Sequence, residues 1–374
     1  MNPLQPRVLV IPASNFARNR TIGGGERYAL ELARALAQRT PTTHALFDTT
    51  TSTAQDGALT LQTYSVRHLG DSWVFPGTAE TWKAIAQFDV LHLMCFPTRL
   101  SETLVVRGRL RGQKIVLTDV GGGGRTLSGY LQKFHRRWDL HRLAHGLAHL
   151  SVHAGQFYRD WPQPSTTLFG GVNPKLLGNE AGEPRGYALF VGRLLPHKGI
   201  LEAIQAVPPS VPFRVVGRPY SPEYFAQLQA AAAGKQVTFI TDADDAELAR
   251  QYAGANVVLQ VSLPTPGGQP DKSELLGLVA LEGMAGGKPV IVTRTTSLPE
   301  LVEDGVTGYI VPPRDLAALG TRMEQLVRDP ELSRRLGQQA RAHVQRRFTW
   351  DRVADVTLDF YRRLLSGQAH AARS

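Results

Sequence analysis

Two carboxylates and two cations in the second half of this sequence could do chemistry together. Glu274 and Glu282 bracket seven mostly apolar residues in "SELLGLVALEGMAGGKPVI", residues 273–291. A buried helix has no use for two carboxylates, and burying either one unpaired is expensive. Carboxylates accept hydrogen bonds from sugar hydroxyls well. Glu274 falls in the loop before the helical run "LVALEGMA", and Glu282 lies on that run, roughly one and a half turns in. At about 1.5 Å per residue the two can hold different parts of one elongated ligand, and Gly277 lets backbone approach it closely. Upstream, "FVGRLLPHKG" (190–199) puts Gly192, Arg193 and Lys198 just past a strand, in the loop before a helix. A phosphate there would meet two cations and the positive helix end at once.

The elements around these residues repeat one grammar. "RVLVIP" (7–12) reads as a strand, and "GGGERYALELARALAQR" as a glycine-rich turn opening a helix, with Tyr28, Leu32 and Leu36 on one face. Strand, glycine loop and helix in that order start a parallel α/β sheet. Further strands are expected at "DVLHLMCF" (89–96), "KIVLTDV" (114–120) and "GLAHLSV" (146–152). The pattern then restarts with "YALFVGR" (187–193), the helix "KGILEAIQAV" (198–207) and "FRVVGR" (213–218). "QVTFI" (236–240), "NVVLQVS" (256–262) and "KPVIVT" (288–293) follow, spaced by helical segments such as "DAELARQYAGA". Between the two sets, residues 171–185 are rich in Gly, Pro and Asn and read as a linker. The expectation is an α/β chain of two Rossmann-like doubly wound domains, 1–170 and 186–347, facing a cleft. An amphipathic helix over 348–366 and a frayed tail over 367–374 complete it.

Bulk properties bound the function. A chain of 374 residues, 42% apolar and 20% charged, is a soluble globular protein too long for one core. Its single cysteine, Cys95, rules out an internal disulfide and fits a reducing compartment. No signal peptide or membrane-spanning run is visible, so a cytoplasmic protein is expected. The net charge of +10 is lopsided: 21 Lys+Arg against 13 Asp+Glu in residues 1–185, and 21 against 19 thereafter. Ten basic residues against three acidic lie between Arg99 and Leu150, a positive field for an anionic partner. With Phe134 and Trp138 among them, these residues would suit docking on the inner face of an anionic membrane. Nucleic acid is not expected, because no recognition motif accompanies the charge.

Together, "LFVGRLLPHKG", the two glutamates seven residues apart, "MAGGKPVIVTRTTSLPELVEDGVTGYIVPPRD" and "FTW" resemble the donor-binding domain of glycosyltransferase family 4. These are retaining enzymes of the GT-B fold. The first half resembles the family more thinly, in "GGGERYALELARAL", "DVLHL" and "VLTDVGGGG". The resemblance implies that Arg193 and Lys198 hold the nucleotide diphosphate and stabilise it as a leaving group. It implies that Glu274 contacts hydroxyls of the transferred hexose and Glu282 the ribose. Backbone at Leu276, Gly277 and Leu278 would face the sugar or diphosphate, and Gly23 and Gly24 would close over it. It implies no metal and no other cofactor, the nucleotide sugar being a substrate. The partners implied are that donor and a glycan or lipid-linked acceptor in cell-surface polysaccharide or glycolipid synthesis. The terminal helix would cross back onto the first domain.

The sequence departs from the family pattern in two places. Leu276 stands where an aromatic is usual, and Asp119, Val120 and four glycines from Gly121 stand where many members carry a histidine. Asp119 either orients an acceptor hydroxyl or caps the glycine turn. Gly121 beside it and His92, in "DVLHL", are the other acceptor candidates, and more often such a histidine is simply satisfied in its strand. His141, His145, His149 and His153 recur every four residues, but Gly146 interrupts them, so no metal-binding stripe is expected. Two other classes share the frame: an epimerase- or phosphorylase-like GT-B enzyme, and a catalytically silent binding protein.

Overall fold

Runs of Val, Ile, Leu and Phe become short strands buried on both faces, as parallel sheets covered by helices require. The computed structural model describes residues 5–12, 24–68, 74–76, 78–94, 96–121, 139–172, 185–264 and 274–367. The chain folds as two units, residues 1–171 with 350–374, and residues 172–349.

In the first unit the strands are β1 (Val8–Ile11), β2 (Thr42–Asp48), β3 (Ser52–Asp56), β4 (Leu59–His68) and β5 (Val74–Pro76), then β6 (Val90–Leu93), β7 (Lys114–Leu117), β8 (Gly146–His149) and β9 (Ser165–Thr167). They lie in the order β3-β4-β2-β1-β6-β7-β8-β9, with β5 on β4. All pairs are parallel except β3 and β5 against β4. Helices α1 (Gly24–Ala37), α2 (Ala79–Ile85) and α3 (Arg99–Leu110) belong to this unit, and Tyr28, Leu32 and Leu36 of α1 are buried as their spacing predicts. The expected strands at "DVLHLMCF" and "GLAHLSV" stop earlier, at Leu93 and His149. Beyond His149 the Ser151 hydroxyl accepts the Ala154 N–H and starts a helical turn instead.

The terminal helix (Trp350–Ser366) lies in this unit and packs on α1 with a buried stripe of Val353, Ala354, Thr357, Leu358, Phe360, Tyr361 and Leu364. It begins two residues later than expected, because Phe348 stays buried in the second unit, its N–H closing the preceding helix on Val344 O. Trp350 sits edge-on to Tyr28, and Arg39 at the end of α1 reaches Asp351 at 2.9 Å and Asp355 at 2.5 Å. The deepest anchor is polar. His92 on β6 is fully buried, with Nδ1 2.6 Å from Tyr361 Oη and Nε2 2.7 Å from Thr118 Oγ1. Burial pushes the His92 imidazole down to about 3, so it is neutral, one nitrogen donating and the other accepting.

The second unit is a six-stranded parallel sheet: β10 (Ala188–Val191), β11 (Phe213–Val216), β12 (Val237–Ile240), β13 (Val257–Gln260), β14 (Val290–Thr293) and β15 (Gly308–Val311). Its helices are α4 (Ile200–Ala206), α5 (Pro222–Ala231), α6 (Asp245–Gly254), α7 (Leu278–Ala285), α8 (Leu316–Arg328) and α9 (Pro330–Arg347). The order β12-β11-β10-β13-β14-β15 means the chain builds outward from β10, then returns to its other side for β13. Loops leaving the C-terminal ends of β10 and β13 therefore diverge, which opens a crevice at that switch point. Of the expected linker, 173–184 lie outside the described residues. No helix among the described residues is long and apolar enough to cross a membrane.

The buried histidines make the first unit acid-sensitive. Besides His92, burial pushes His44, His145 and His149 down to about 4, with Arg34 adding to the effect at His44 and Arg109 and Lys114 at His145. The unfolded chain takes up protons at these sites below about pH 6.5, while the folded unit resists until about pH 4 or lower. Stability is therefore complete above pH 6.5 and lost progressively between about 6.5 and 4. Scanning calorimetry from pH 7.5 to 4.5 is expected to show Tm level down to about pH 6.5 and falling from there on; a Tm that stays level to pH 4.5 would contradict it.

Candidate active site

The crevice between β10 and β13 holds an ion pair. Past β10 the chain runs through Gly192, Arg193 and Leu194 into a 3-10 turn, Pro196–Lys198. Lys198 Nζ donates to Glu274 Oε2 at 2.6 Å, with the side chains only 21% and 14% exposed. The same oxygen accepts from Ser262 Oγ at 3.3 Å, just beyond β13. Burial pushes the Glu274 carboxyl up, but the Lys198 ammonium and hydrogen bonds from Lys198, Gln260 and Ser262 outweigh it and hold it below the usual carboxylate range. Glu274 is thus a fixed anion at neutral pH. Taking two charges largely out of water costs several kcal/mol each, so such a pair adds little net stability. It makes more sense as a pair of groups held ready for a ligand.

Glu274 is held from behind. Ser297 donates to the Glu274 carbonyl through both N, at 3.4 Å, and Oγ, at 2.8 Å. Three residues on, Gly277 caps α7 with φ 99° and ψ 50°. A Cβ there would fall 2.8 Å from Leu301 Cδ1 and 2.9 Å from Leu298 Cδ2, so both backbone angle and space call for glycine. Leu276 beside it is buried in the place where the resemblance calls for an aromatic, and Leu278 is half-buried. Gln260, buried at the end of β13, accepts the Ala280 N–H at 2.8 Å. One amide thus joins the start of α7 to the Glu274 carboxylate. On α7 itself, Glu282 Oε2 accepts from the hydroxyl of Tyr252, a buried residue of α6, at 2.8 Å. Arg193 is exposed, its guanidinium 5.9 Å from the Tyr220 ring centre.

The second unit thus brings Gly192, Arg193, Lys198, Glu274, Leu276, Gly277, Leu278 and Glu282 to the strand ends of one sheet and the helix that follows. Sequence reasoning missed Gln260, Ser262 and Tyr252. Gln260 carried a legible signal: the one polar residue in the buried strand "VVLQ".

The first-unit candidates fare differently. Gly23 lies outside the described residues, and Gly24 is the exposed first residue of α1. His92 needs correction as an acceptor residue: it is buried, and both ring nitrogens are spent on Tyr361 and Thr118. Asp119 takes the capping role, its Oδ1 accepting the Gly121 N–H at 2.9 Å in a left-handed turn while Oδ2 accepts the Tyr158 hydroxyl. The four histidines fall on a 3-10 turn, a loop, β8 and a helical turn, so no stripe forms. Among the described residues, Glu102, Asp139 and His141 lie close enough to share an ion. His141, however, already uses Nε2 on Ser101 Oγ at 2.7 Å and Nδ1 on Asp139 at 2.8 Å. Residues 122–138 of the basic segment, with Phe134 and Trp138, lie outside the described residues. Of the rest, Arg107 stacks on Trp82, Arg142 on Trp161, and Arg109 bonds His145.

Residues 178–343 match the family model described as "Glycosyl transferases group 1". The match lies wholly within the second unit. Within and around it, the chain is 31% identical over 262 residues to the D-inositol 3-phosphate glycosyltransferase of Streptomyces griseus, covering 64% of this chain and 53% of that protein. It is 29% identical over 180 residues to the glycogen synthase of Mycobacterium tuberculosis, covering 46% and 41%. The matches span at most about half the length of these curated relatives. Among solved structures, a sucrose-phosphate synthase from Thermosynechococcus elongatus aligns with TM-score 0.72 at 23% identity, over 97% of this chain and 100% of that one. HepE of Anabaena, solved with UDP and glucose, aligns with TM-score 0.68 at 18% identity over the same shares. The fold is GT-B, and the matched segment falls in its second unit, with the Lys198–Glu274 pair at the middle of that unit's sheet.

Gly277→Ala is expected to destabilise the second unit by about 2 kcal/mol or more. A left-handed angle costs a β-carbon about 1–2 kcal/mol, and overlap with Leu298 and Leu301 adds to it. Urea unfolding measures this, and an unchanged midpoint would show that the loop relaxes freely.

Proposed function

We propose that the protein is a retaining glycosyltransferase that moves a hexose from a nucleotide-diphosphate sugar to a hydroxyl of a glycan or lipid-linked acceptor. The observation that supports it best is the pairing of Lys198 with an ionised Glu274 beside the start of α7. The two ends of one donor compete for that pair: phosphate oxygens for the ammonium, sugar hydroxyls for the carboxylate. Glu282, held by Tyr252 on the next helix, is at the right remove to receive the ribose. UDP-hexoses are the first donors to try, because HepE was solved with UDP and glucose.

In this reading the C1–O bond to the diphosphate breaks, and Arg193, Lys198 and the positive end of α7 take up the charge that develops on the leaving oxygen. The acceptor oxygen attacks C1 from the face the diphosphate leaves, which retains the anomeric configuration. A diphosphate oxygen takes the acceptor proton. Glu274 holds the sugar hydroxyls while C1 carries positive character. The charge is neutralised by side chains and a helix end, so the reading calls for no metal and no further cofactor.

The acceptor side rests on the basic segment. Leu110, at the end of α3, is 82% exposed between Arg109 and Arg111, an apolar tip in a basic collar that suits an anionic lipid surface. Sedimentation with phosphatidylglycerol vesicles is expected to carry the protein down, and Leu110→Asp to weaken that clearly. Equal binding by the variant, or none by the wild type, removes the membrane from the reading.

The donor is tested by calorimetry with UDP-, GDP- and ADP-hexoses. One nucleotide is expected to bind, with binding lost in Glu282→Ala. Lys198→Ala is expected to be less stable, because it leaves the buried Glu274 carboxylate unpaired, and in its folded form to lower kcat about 100-fold or more, the usual cost of removing one group that stabilises developing charge. Near wild-type turnover in that variant would overturn its role, and silence toward every nucleotide would favour a binding protein on this fold.

A further inference from the structure

The loops leaving β10 and β11 do not separate at the end of the sheet. The Gly192 N–H donates to Val216 O at 2.9 Å and the Leu194 N–H to Arg218 O at 3.2 Å, and Leu194 pairs with Pro219 in a parallel bridge. The register that sets Val191 opposite Val216 therefore runs on, and places Arg193 opposite Arg218. Opposed residues of a parallel pair share a face, with strands about 4.8 Å apart. The approach is close enough that a Cβ on Gly217 would lie 1.8 Å from Gly192 O, so only glycine permits it. Leu194 turns inward and is buried, while Arg193 and Arg218 are both exposed.

The backbone thus sets two exposed arginines opposite one another at the strand ends. Neither has an ion-pair partner among the described residues; Arg193 rests only against Tyr220, itself 59% exposed. Like charges held opposite one another repel, and an anion between them removes the repulsion. Lys198 contributes less net charge than it first suggests, because Glu274 cancels it. A diphosphate bridge carries a negative charge on each phosphate, and Arg193 alone answers one of them.

We propose that Arg218 is a further donor-binding residue, its guanidinium joining Arg193 to form a two-arginine clamp on the diphosphate. This rests on the donor reading above and adds a residue to it. The clamp reads phosphate oxygens, so it distinguishes a nucleoside diphosphate from a monophosphate whatever the base. A planar fork grips two oxygens at once, which a lysine cannot reproduce.

The test is titration of the full chain with UDP, GDP and ADP and with the matching monophosphates, at two salt concentrations. In Arg218→Gln the affinity for the preferred diphosphate is expected to fall about tenfold or more, with a shallower salt dependence and little change for the monophosphate. Arg218→Lys should recover only part of the loss. A wild type that binds one diphosphate, with Arg218→Gln binding it equally well, overturns the clamp and leaves the donor reading standing. A loss of equal size for monophosphate and diphosphate also overturns the clamp. A wild type that binds none of the nucleotides overturns the donor reading, and the clamp with it.

Discussion

The second unit is organised around a charge pair that a protein would not keep for stability alone. Lys198 and Glu274, mostly shielded from water, meet at 2.6 Å where the strand order reverses. Holding them there takes contributions from three elements. The turn after β10 delivers the ammonium, β13 delivers Ser262 and Gln260, and Ser297 holds the carbonyl of Glu274 itself. Gly277 then reverses the chain so that α7 can start at once, with Gln260 capping its Ala280 N–H. Each contact restrains the carboxylate, and together they fix an anion at one place. A preorganised charge of that kind does not reorganise when a ligand arrives, and this is what makes it useful chemically.

The first unit solves a different problem. Its sheet is finished by a helix that the chain supplies only after building the whole second unit. A long excursion of that kind returns to the right place only if the contact is specific. The apolar stripe of the terminal helix supplies most of the burial. The bond from Tyr361 to a neutral His92 supplies direction, since a hydrogen bond in a dry core fails if the helix rotates or slides. Arg39 adds two surface carboxylate contacts, which contribute little energy but agree with the same register.

The group 1 match covers 178–343, nearly all of the second unit and none of the first. The physics allows such a split. A site for an anion constrains charge, glycine and helix start at fixed spacing, whereas a surface shaped by loops tolerates change. The whole-chain likeness to solved structures, at 23% identity and below, carries the fold of the first unit without its motifs.

Much of this was readable in the amino-acid sequence. Strand runs such as "YALFVGR" and "KPVIVT", the glycine-led helices, and Arg193, Lys198, Glu274, Gly277 and Glu282 all announce themselves by residue type and spacing, because they depend on local chain geometry. Antiparallel β3 and β5 did not, since "STAQD" is polar and gains its place only from the strand beside it. His92 looked like chemistry and proved to be packing, because its partners are 26 and 269 residues away. Asp119 could be read two ways until Tyr158 and the Gly121 amide were seen to use both its oxygens. Arg218 drew no notice, being one more exposed arginine in sequence; only strand register puts it beside Arg193. By itself, then, the sequence determined the elements and the candidate residues that ride on them. The tertiary structure decided which polar groups are spent on each other, because pairing across a sheet or into a core depends on register and burial that no local pattern encodes.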